Sequence, residues 1–352
     1  MNTKELLSKD SYWMKDGAVP IVLSTRVRLA RNLADCTFPP DMKGAEAAKI
    51  EEKIAAPLRE FNLEGEGLTY LALRDLSAIE KRVLIEKHLI SPPFAELGSG
   101  RGVAVSDSHK FSIMINEEDH LRIQVLMPGS SLWEAQKLAG IIDDYLEDRL
   151  DIAYNKKFGY LTSCPTNVGT GLRISVMVHL PALVMTNQAQ KVLGALPPLG
   201  LTVRGLYGEG SRASGNIFQI SNQITLGKSE EDTLTHLEAV VRQLTEHELK
   251  AREVLKSDAP LITQDKVWRA RGILEKARLL TAEETFSLLS EDRLGIDMEI
   301  LPKVKADFVS LLINSLQGCL QYKAKRALDG HFLNFERANY LRQVYASPGS
   351  DK

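Results

Sequence analysis

Up to about Leu226 the chain alternates in short apolar and polar steps broken by Gly, Pro, Asn and Ser; from Ser229 onward apolar residues recur at helical spacing among many charges. This change of period predicts a sheet-rich first part and a helical second part, with a boundary near residues 250–262. In the second part Leu234, Leu237, Val241 and Leu244 repeat at helical spacing, as do Phe308, Leu311, Leu312, Ser315, Leu316 and Cys319, which predicts a helical bundle. Within the first part, Trp133 to Leu150 is predicted as a helix. Pro128-Gly129-Ser130 marks its start, and Leu132, Ala135, Leu138, Ile142, Tyr145 and Leu146 form the stripe that would pack on a sheet. The glycine-rich stretch from Glu96 to Gly102 reads as a loop, since it lacks the strand-before, helix-after setting of a dinucleotide fingerprint.

Period-two alternation in Leu172-Arg173-Ile174-Ser175-Val176-Met177-Val178-His179-Leu180 sends Leu172, Ile174, Val176, Val178 and Leu180 to one face and Arg173 to the other. Leu121-Arg122-Ile123-Gln124-Val125 repeats the design, as do Arg26 and Arg28 around Val27, and Arg204 after Leu201-Thr202-Val203. Five arginines are thus presented by four strands. Any one of them alone is an ordinary solvent-facing strand residue. Together they offer permanently charged, rigid donor forks, a set suited to a polyphosphate such as ATP. Neither a P-loop sequence nor the protein-kinase motif set is present.

Composition narrows the partners. The 352 residues carry 44 Lys and Arg against 46 Asp and Glu, a formal net charge of -2, so no global charge favours nucleic acid or a membrane surface. The N-terminus has no signal-peptide core and no long apolar run occurs, which predicts a cytoplasmic protein. Cys36, Cys164 and Cys319 are odd in number and widely spaced, which fits single thiols. Cys36 and Cys319 read as inert; Cys164 lies in the loop Ser163-Cys164-Pro165-Thr166-Asn167 and is the candidate reactive thiol. Glu117, Glu118 and Asp119 crowd the connection between two strands, and Glu209 sits between glycines after the Arg204 strand, where backbone can approach a ligand.

Four runs, Ser24-Thr25-Arg26-Val27-Arg28, Asn116 to Arg122, Thr162 to Arg173 and Arg204 to Glu209, together resemble the ATP:guanidino phosphotransferase family in order from about Ile21 to Gly227. Within it the sequence is most similar to the McsB-type bacterial protein arginine kinases, through Cys164-Pro165-Thr166-Asn167 and the run 220–227. The resemblance implies an α+β fold: an antiparallel sheet flanked by helices over residues 1–255, glutamine-synthetase-like, followed by a C-terminal helical domain over 256–352 for dimerisation and regulation. Because the motifs begin at Ser24, the helical domain that precedes the catalytic domain in creatine and free-arginine kinases is not expected, which implies an open site for arginine presented on a protein.

By the same resemblance Glu118 and Glu209 would clamp the substrate guanidinium and share the role of base, with Glu117 beside them and the Cys164 thiolate near the nucleophilic nitrogen. ATP would lie against Ser24, Thr25, Arg26, Val27, Arg28, His88, Arg122, the run Arg173, Ile174, Ser175, Val176, Met177, and the run Arg204, Gly205, Leu206, Tyr207, Gly208, Glu209. Mg2+ would be bound mainly through the nucleotide. Expected partners are protein substrates, an activator protein, a Clp ATPase and a second copy of the chain, with no nucleic acid and no membrane. The competing readings are a kinase for free arginine or another small guanidino compound, and a non-catalytic adaptor to a Clp protease. One departure stands out: the family's phosphoarginine-sensing Arg-Asp-x-x-Arg-Ala appears as Leu333-Asn334-Phe335-Glu336-Arg337-Ala338, without the leading Arg-Asp, so that regulation is not expected.

Overall fold

A computed structural model describes residues 2–63, 65–205 and 214–346. The alternating segments form β1 (Val22–Arg31), β2 (Leu68–Ala72), β3 (Gly102–Ser106), β4 (Phe111–Ile115), β5 (Leu121–Pro128), β6 (Tyr154–Asn155), β7 (Gly159–Tyr160), β8 (Leu172–His179), β9 (Leu201–Gly205) and β10 (Ile217–Asn222). β6 and β7 make a small hairpin. The other eight form one sheet in the order β2-β3-β4-β5-β1-β8-β10-β9, antiparallel at every pairing. The four arginine-bearing segments are all strands of this sheet, and β1 lies at its centre.

One face of the sheet is covered by a large apolar core. Val27, Leu29, Ile123, Val125, Ile174 and Val176 pack there with the helices Gly44–Glu60, Leu132–Glu147 and Glu230–Asp258. The helix Leu132–Glu147 buries Leu132, Ala135, Ala139, Ile142 and Leu146, while Leu138 and Tyr145 are partly buried. It stops three residues before the expected Leu150, which leaves the helix in a turn while its N–H still reaches the Leu146 carbonyl. The opposite face carries the arginines and, around them, a second core. In this second core Leu23, Met114, Leu126 and Met177 meet the helix Ala78–Glu86 and the C-terminal Phe308, Leu312 and Leu316.

The helical second part begins with Glu230–Asp258, capped by Ser229, whose hydroxyl accepts from the Asp232 N–H. Ala259 then breaks the path, and Pro260–Lys276 starts with proline in its first turn, where a missing N–H costs nothing. The periodic run from Phe308 to Cys319 spans two helices, Phe308–Asn314 and Gln317–Ala324. Leu316 is extended between them, and the buried Glu86 carboxylate accepts from the N–H groups of Gly318 and Cys319 at 2.8 and 2.9 Å, supplying the second helix with an N-terminal anion.

Candidate active site

Antiparallel register, more than proximity in sequence, gathers the site. Arg28 on β1 stands opposite Arg173 on β8 and Gln124 on β5, while Arg26 stands opposite Ser175 on β8. Arg204 on β9 is opposite Gln219 on β10. The result is a row of guanidiniums across β5, β1, β8 and β9 on the face away from the large core. Arg26 donates to the Gln219 amide oxygen at 2.8 Å and to Ser175 at 3.4 Å. Among the described residues the buried Nε of Arg28 has no hydrogen-bond partner.

The electrostatics of the row are unfavourable as it stands. Burial, followed by Arg122, Arg173 and Arg204, pushes Arg26 down to about 10. Burial and then Arg26, Arg122 and Arg173 hold Arg28 well below the ordinary guanidinium value, against a favourable Glu117. Arg173 is lowered by burial and by Arg204 and Arg122, while Glu118 acts the other way. Like charges facing one another across a ladder are destabilising. A bound polyanion removes that penalty and would satisfy the orphaned Nε.

The acids lie at the Arg122 end. Glu117 accepts from Arg122 at 2.6 Å, from the Ser91 hydroxyl at 2.6 Å and from the Glu118 N–H at 3.0 Å. Burial opposes its ionisation, but Arg122 and these hydrogen bonds hold it below the usual carboxylate range. Glu118 is 43% exposed and 4.0 Å from Arg122. Burial, with Asp119 and Glu117 nearby, raises its proton affinity despite Arg122. The two adjacent glutamates are therefore driven apart: Glu117 is a fixed anion, and Glu118 is the more basic and more accessible group.

Asp119 faces away from them and does structural work. Its Oδ1 accepts from Asn32 at 2.6 Å and from the Ser163 N–H at 2.7 Å, tying the acidic turn to the end of β1 and to the cysteine loop. Cys164 follows directly, half-buried, with Sγ 3.0 Å from the Thr166 hydroxyl. Thr225 fastens the far side of this loop by donating to the carbonyls of Thr166 and Val168. Gly169 makes the close approach possible: at φ +111°, a Cβ there would lie 2.5 Å from the Thr225 oxygen.

His88 takes a left-handed conformation, φ 58°, with its ring stacked on Trp13 at 5.0 Å and its carbonyl accepting from Gln124 at 2.7 Å. Burial, then Arg26, pushes it down to about 3, so its imidazole is neutral beside the arginine row. Other residues of the expected nucleotide set lie elsewhere. Val27, Ile174 and Val176 are in the large core on the opposite face, and Met177 is in the second core, because strand alternation sends them there. Thr25 donates to the Gly129 carbonyl at 2.8 Å and accepts from Ser131 N–H at 3.1 Å, so its hydroxyl anchors the loop after β5. Ser24 is buried near the start of β1, and Gly205 ends β9. Leu206, Tyr207, Gly208 and Glu209 lie outside the described residues. Ser91, Gln219 and Asn32 were not singled out from sequence; each is joined to its partner across 26 to 193 residues, which local patterns do not encode.

In the altered segment near the C-terminus, Arg337 is buried and hydrogen-bonded. It donates to the carbonyls of Ser315 and Leu280 and to the Asn334 side chain at 2.7–2.8 Å, joining three segments of the helical part.

Comparison with known proteins agrees with this geometry. Residues 49–251 match the ATP:guanido phosphotransferase C-terminal catalytic domain, and residues 261–351 match the protein-arginine kinase McsB C-terminal domain. The chain is 46% identical to the protein-arginine kinase of Symbiobacterium thermophilum over 97% of this chain and 99% of that one, and 46% identical to that of Bacillus subtilis over 95% and 93%. Among solved structures, the duplicated taurocyamine kinase of Schistosoma mansoni superposes with a TM-score of 0.60 at 28% identity, covering 73% of this chain and 37% of its own double-length chain. A lombricine kinase superposes with a TM-score of 0.58 at 26% identity, covering 71% of each. A sheet with five arginines on one face and paired glutamates at the row's end, continued by a matching helical part, places the chain in the ATP:guanido phosphotransferase family, among the protein-arginine kinases.

Proposed function

We propose that the chain transfers the γ-phosphoryl group of ATP to the guanidino group of arginine residues carried on proteins. The observation that supports it most is the pairing of a buried, mutually repelling arginine row with two glutamates of opposed proton affinity at its end. A substrate guanidinium has a pKa above about 12 and no free lone pair, so it must be oriented and deprotonated before it can attack. Glu117, fixed by Arg122 and Ser91, orients it; Glu118, with raised proton affinity, takes the proton, together with Glu209 of the segment after β9. The N–P bond forms as the bond from γ-phosphorus to the bridging oxygen breaks, and ADP leaves with that electron pair. The arginines align the phosphoryl group and neutralise charge on its equatorial oxygens, so catalysis is positioning and electrostatics. Guanidiniums cannot ligate a cation, so Mg2+ would be held by the phosphate oxygens themselves.

Protein-borne arginine is preferred over a small guanidino compound because the relatives that match over nearly the whole chain are named protein-arginine kinases. The wider setting we propose, a cytoplasmic homodimer with an activator protein, marking substrates for Clp-type proteolysis under stress, follows from the family resemblance. The test is incubation with ATP and Mg2+ and either an unfolded basic protein or free arginine, followed by detection of acid-labile phosphate. Label is expected on the protein and lost in Glu209→Gln with ATP binding retained; label on free arginine alone would overturn the substrate assignment.

A further inference from the structure

A cavity of about 640 Å³ lies away from the arginine row, where the N-terminal helix Thr3–Ser8, the helix Ala78–Glu86 and the C-terminal helix Gln317–Ala324 meet. Its size is that of a site for a small organic molecule. Leu7, Ile79 and Val83 give it an apolar wall. Lys87 lies in it, and Lys4, Lys323 and Lys325 stand around it.

The charges are unbalanced. Glu80 is the acid of the lining, and it is taken by Ser77, whose N–H and hydroxyl both donate to it at 2.7–2.8 Å. Asp10, which acts electrostatically on both Lys87 and Lys323, is taken by Ser310 and Asn314 at 3.0–3.1 Å. Lys87 is 2% exposed; its ammonium donates to the carbonyls of Leu7 and Lys9 and, among the described residues, forms no ion pair. Neither do Lys4, Lys323 or Lys325, although Lys323 lies over the Tyr340 ring at 4.7 Å. Burial lowers the proton affinity of Lys87, a cost an anion would offset.

We propose that this cavity binds an amphipathic anion, a single carboxylate head on an apolar body, with the head among Lys87, Lys323 and the rim lysines and the body against Leu7, Ile79 and Val83. The site is also wired to the arginine row. The Lys87 carbonyl accepts from Trp13 Nε1 at 3.2 Å, Trp13 stacks on His88, and His88 is held by Gln124, which stands opposite Arg28. Occupancy at Lys87 therefore shifts nucleotide affinity through Trp13 and His88, a coupling that rests on the nucleotide reading of the arginine row and is reciprocal.

Isothermal titration of the full chain with sodium decanoate, without nucleotide, tests the site independently of the kinase reading. Sodium acetate and 1-decanol, offering head or body alone, are expected to bind at least tenfold more weakly than decanoate. Ile79→Trp fills the cavity and Lys323→Glu reverses its charge, both at positions with solvent access, so the fold is retained; each is expected to weaken decanoate at least tenfold, whereas Lys157→Glu on the distant hairpin loop leaves it unchanged. Absence of binding to the unaltered chain, or equal affinity in all three variants, overturns the site. Repeating the ATP titration with saturating decanoate reads the coupling: unchanged ATP affinity overturns it, while failure of ATP to bind in either condition counts against the nucleotide reading instead.

Discussion

Arg28 faces Arg173 across the ladder between β1 and β8, with Arg26 two residues away on the same strand face. The sheet spends stability to hold these charges together, and a neutral side chain of similar length should return some of it. Arg28→Met is expected to stabilise the nucleotide-free protein by on the order of 1 kcal/mol, as replacement of buried charges by apolar groups does elsewhere, and to weaken ATP at least tenfold, about 1.4 kcal/mol. Thermal denaturation without ligand and calorimetric titration with ATP read the two effects; a fall in both would mean that Arg28 is a structural residue. The acids give a second expectation. In the mechanism proposed above, phosphoryl transfer requires ionised Glu118, whose proton affinity is raised by burial and by Asp119 and Glu117. Activity should therefore fall as pH drops through a value above the ordinary glutamate range, and Asp119→Asn, which removes one of the raising charges, should move that acid limb downward in a kcat-against-pH profile. The arginine row was legible from sequence because period-two alternation sorts side chains by face. The same rule places the side chains of Val27, Ile174 and Val176 on the core side, facing away from the row. Ser91 and Gln219 were not legible, since their partners are set by chain reversal.

At the scale of elements, strand period and helix spacing located the sheet and the long helices, but spacing could not distinguish one helix from two between Phe308 and Cys319. Both halves keep an apolar face at three- and four-residue intervals, and the interruption at Ser315-Leu316 is stabilised from outside by Glu86, far away in sequence. The Glu86 side chain is 3% exposed and is also bound by Arg82 at 3.1 Å. Hydrogen bonds to a charged partner contribute about 1.5–3 kcal/mol each. Glu86→Ala is thus expected to destabilise the fold by about 2–4 kcal/mol, given two such bonds partly replaced by water. Hydrogen exchange at Gly318 and Cys319 should accelerate far more than at the strand amides of β1. Equal acceleration everywhere would show that Glu86 supports the fold as a whole and does not act as a local cap.

At the scale of the molecule, the change of hydrophobic period marks where helices take over, but it hides how the two parts are joined. Ala259 separates the helices Glu230–Asp258 and Pro260–Lys276, yet the second core contains Leu23, Leu126 and Met177 of the sheet beside Phe308 and Leu312 of the helical part. A buried chain of charges reinforces this joint. Glu248 accepts from Arg252 at 3.1 Å, Arg252 reaches Asp297 at 3.2 Å, Asp297 pairs with Arg293 at 2.8 Å, and Arg293 pairs with Asp16 of the N-terminal segment. Glu248 also caps the helix that follows β8, accepting from the Ala182 and Leu183 N–H groups at 3.0 Å. Side chains of Glu248, Arg252 and Asp297 are 0%, 6% and 4% exposed, so deleting the middle cation leaves Glu248 without a cation and Asp297 with Arg293 alone in a desolvated place. Arg252→Met is expected to cost about 3–5 kcal/mol, the usual penalty for breaking a buried pair from one side. Because the second core is shared by the sheet and the helical part, urea denaturation followed by sheet and helix signals together should still show one transition, displaced to lower denaturant. A variant in which the helical signal melts first, with the sheet transition unmoved, would mean that the two parts are stable separately and that the charge chain only tethers them.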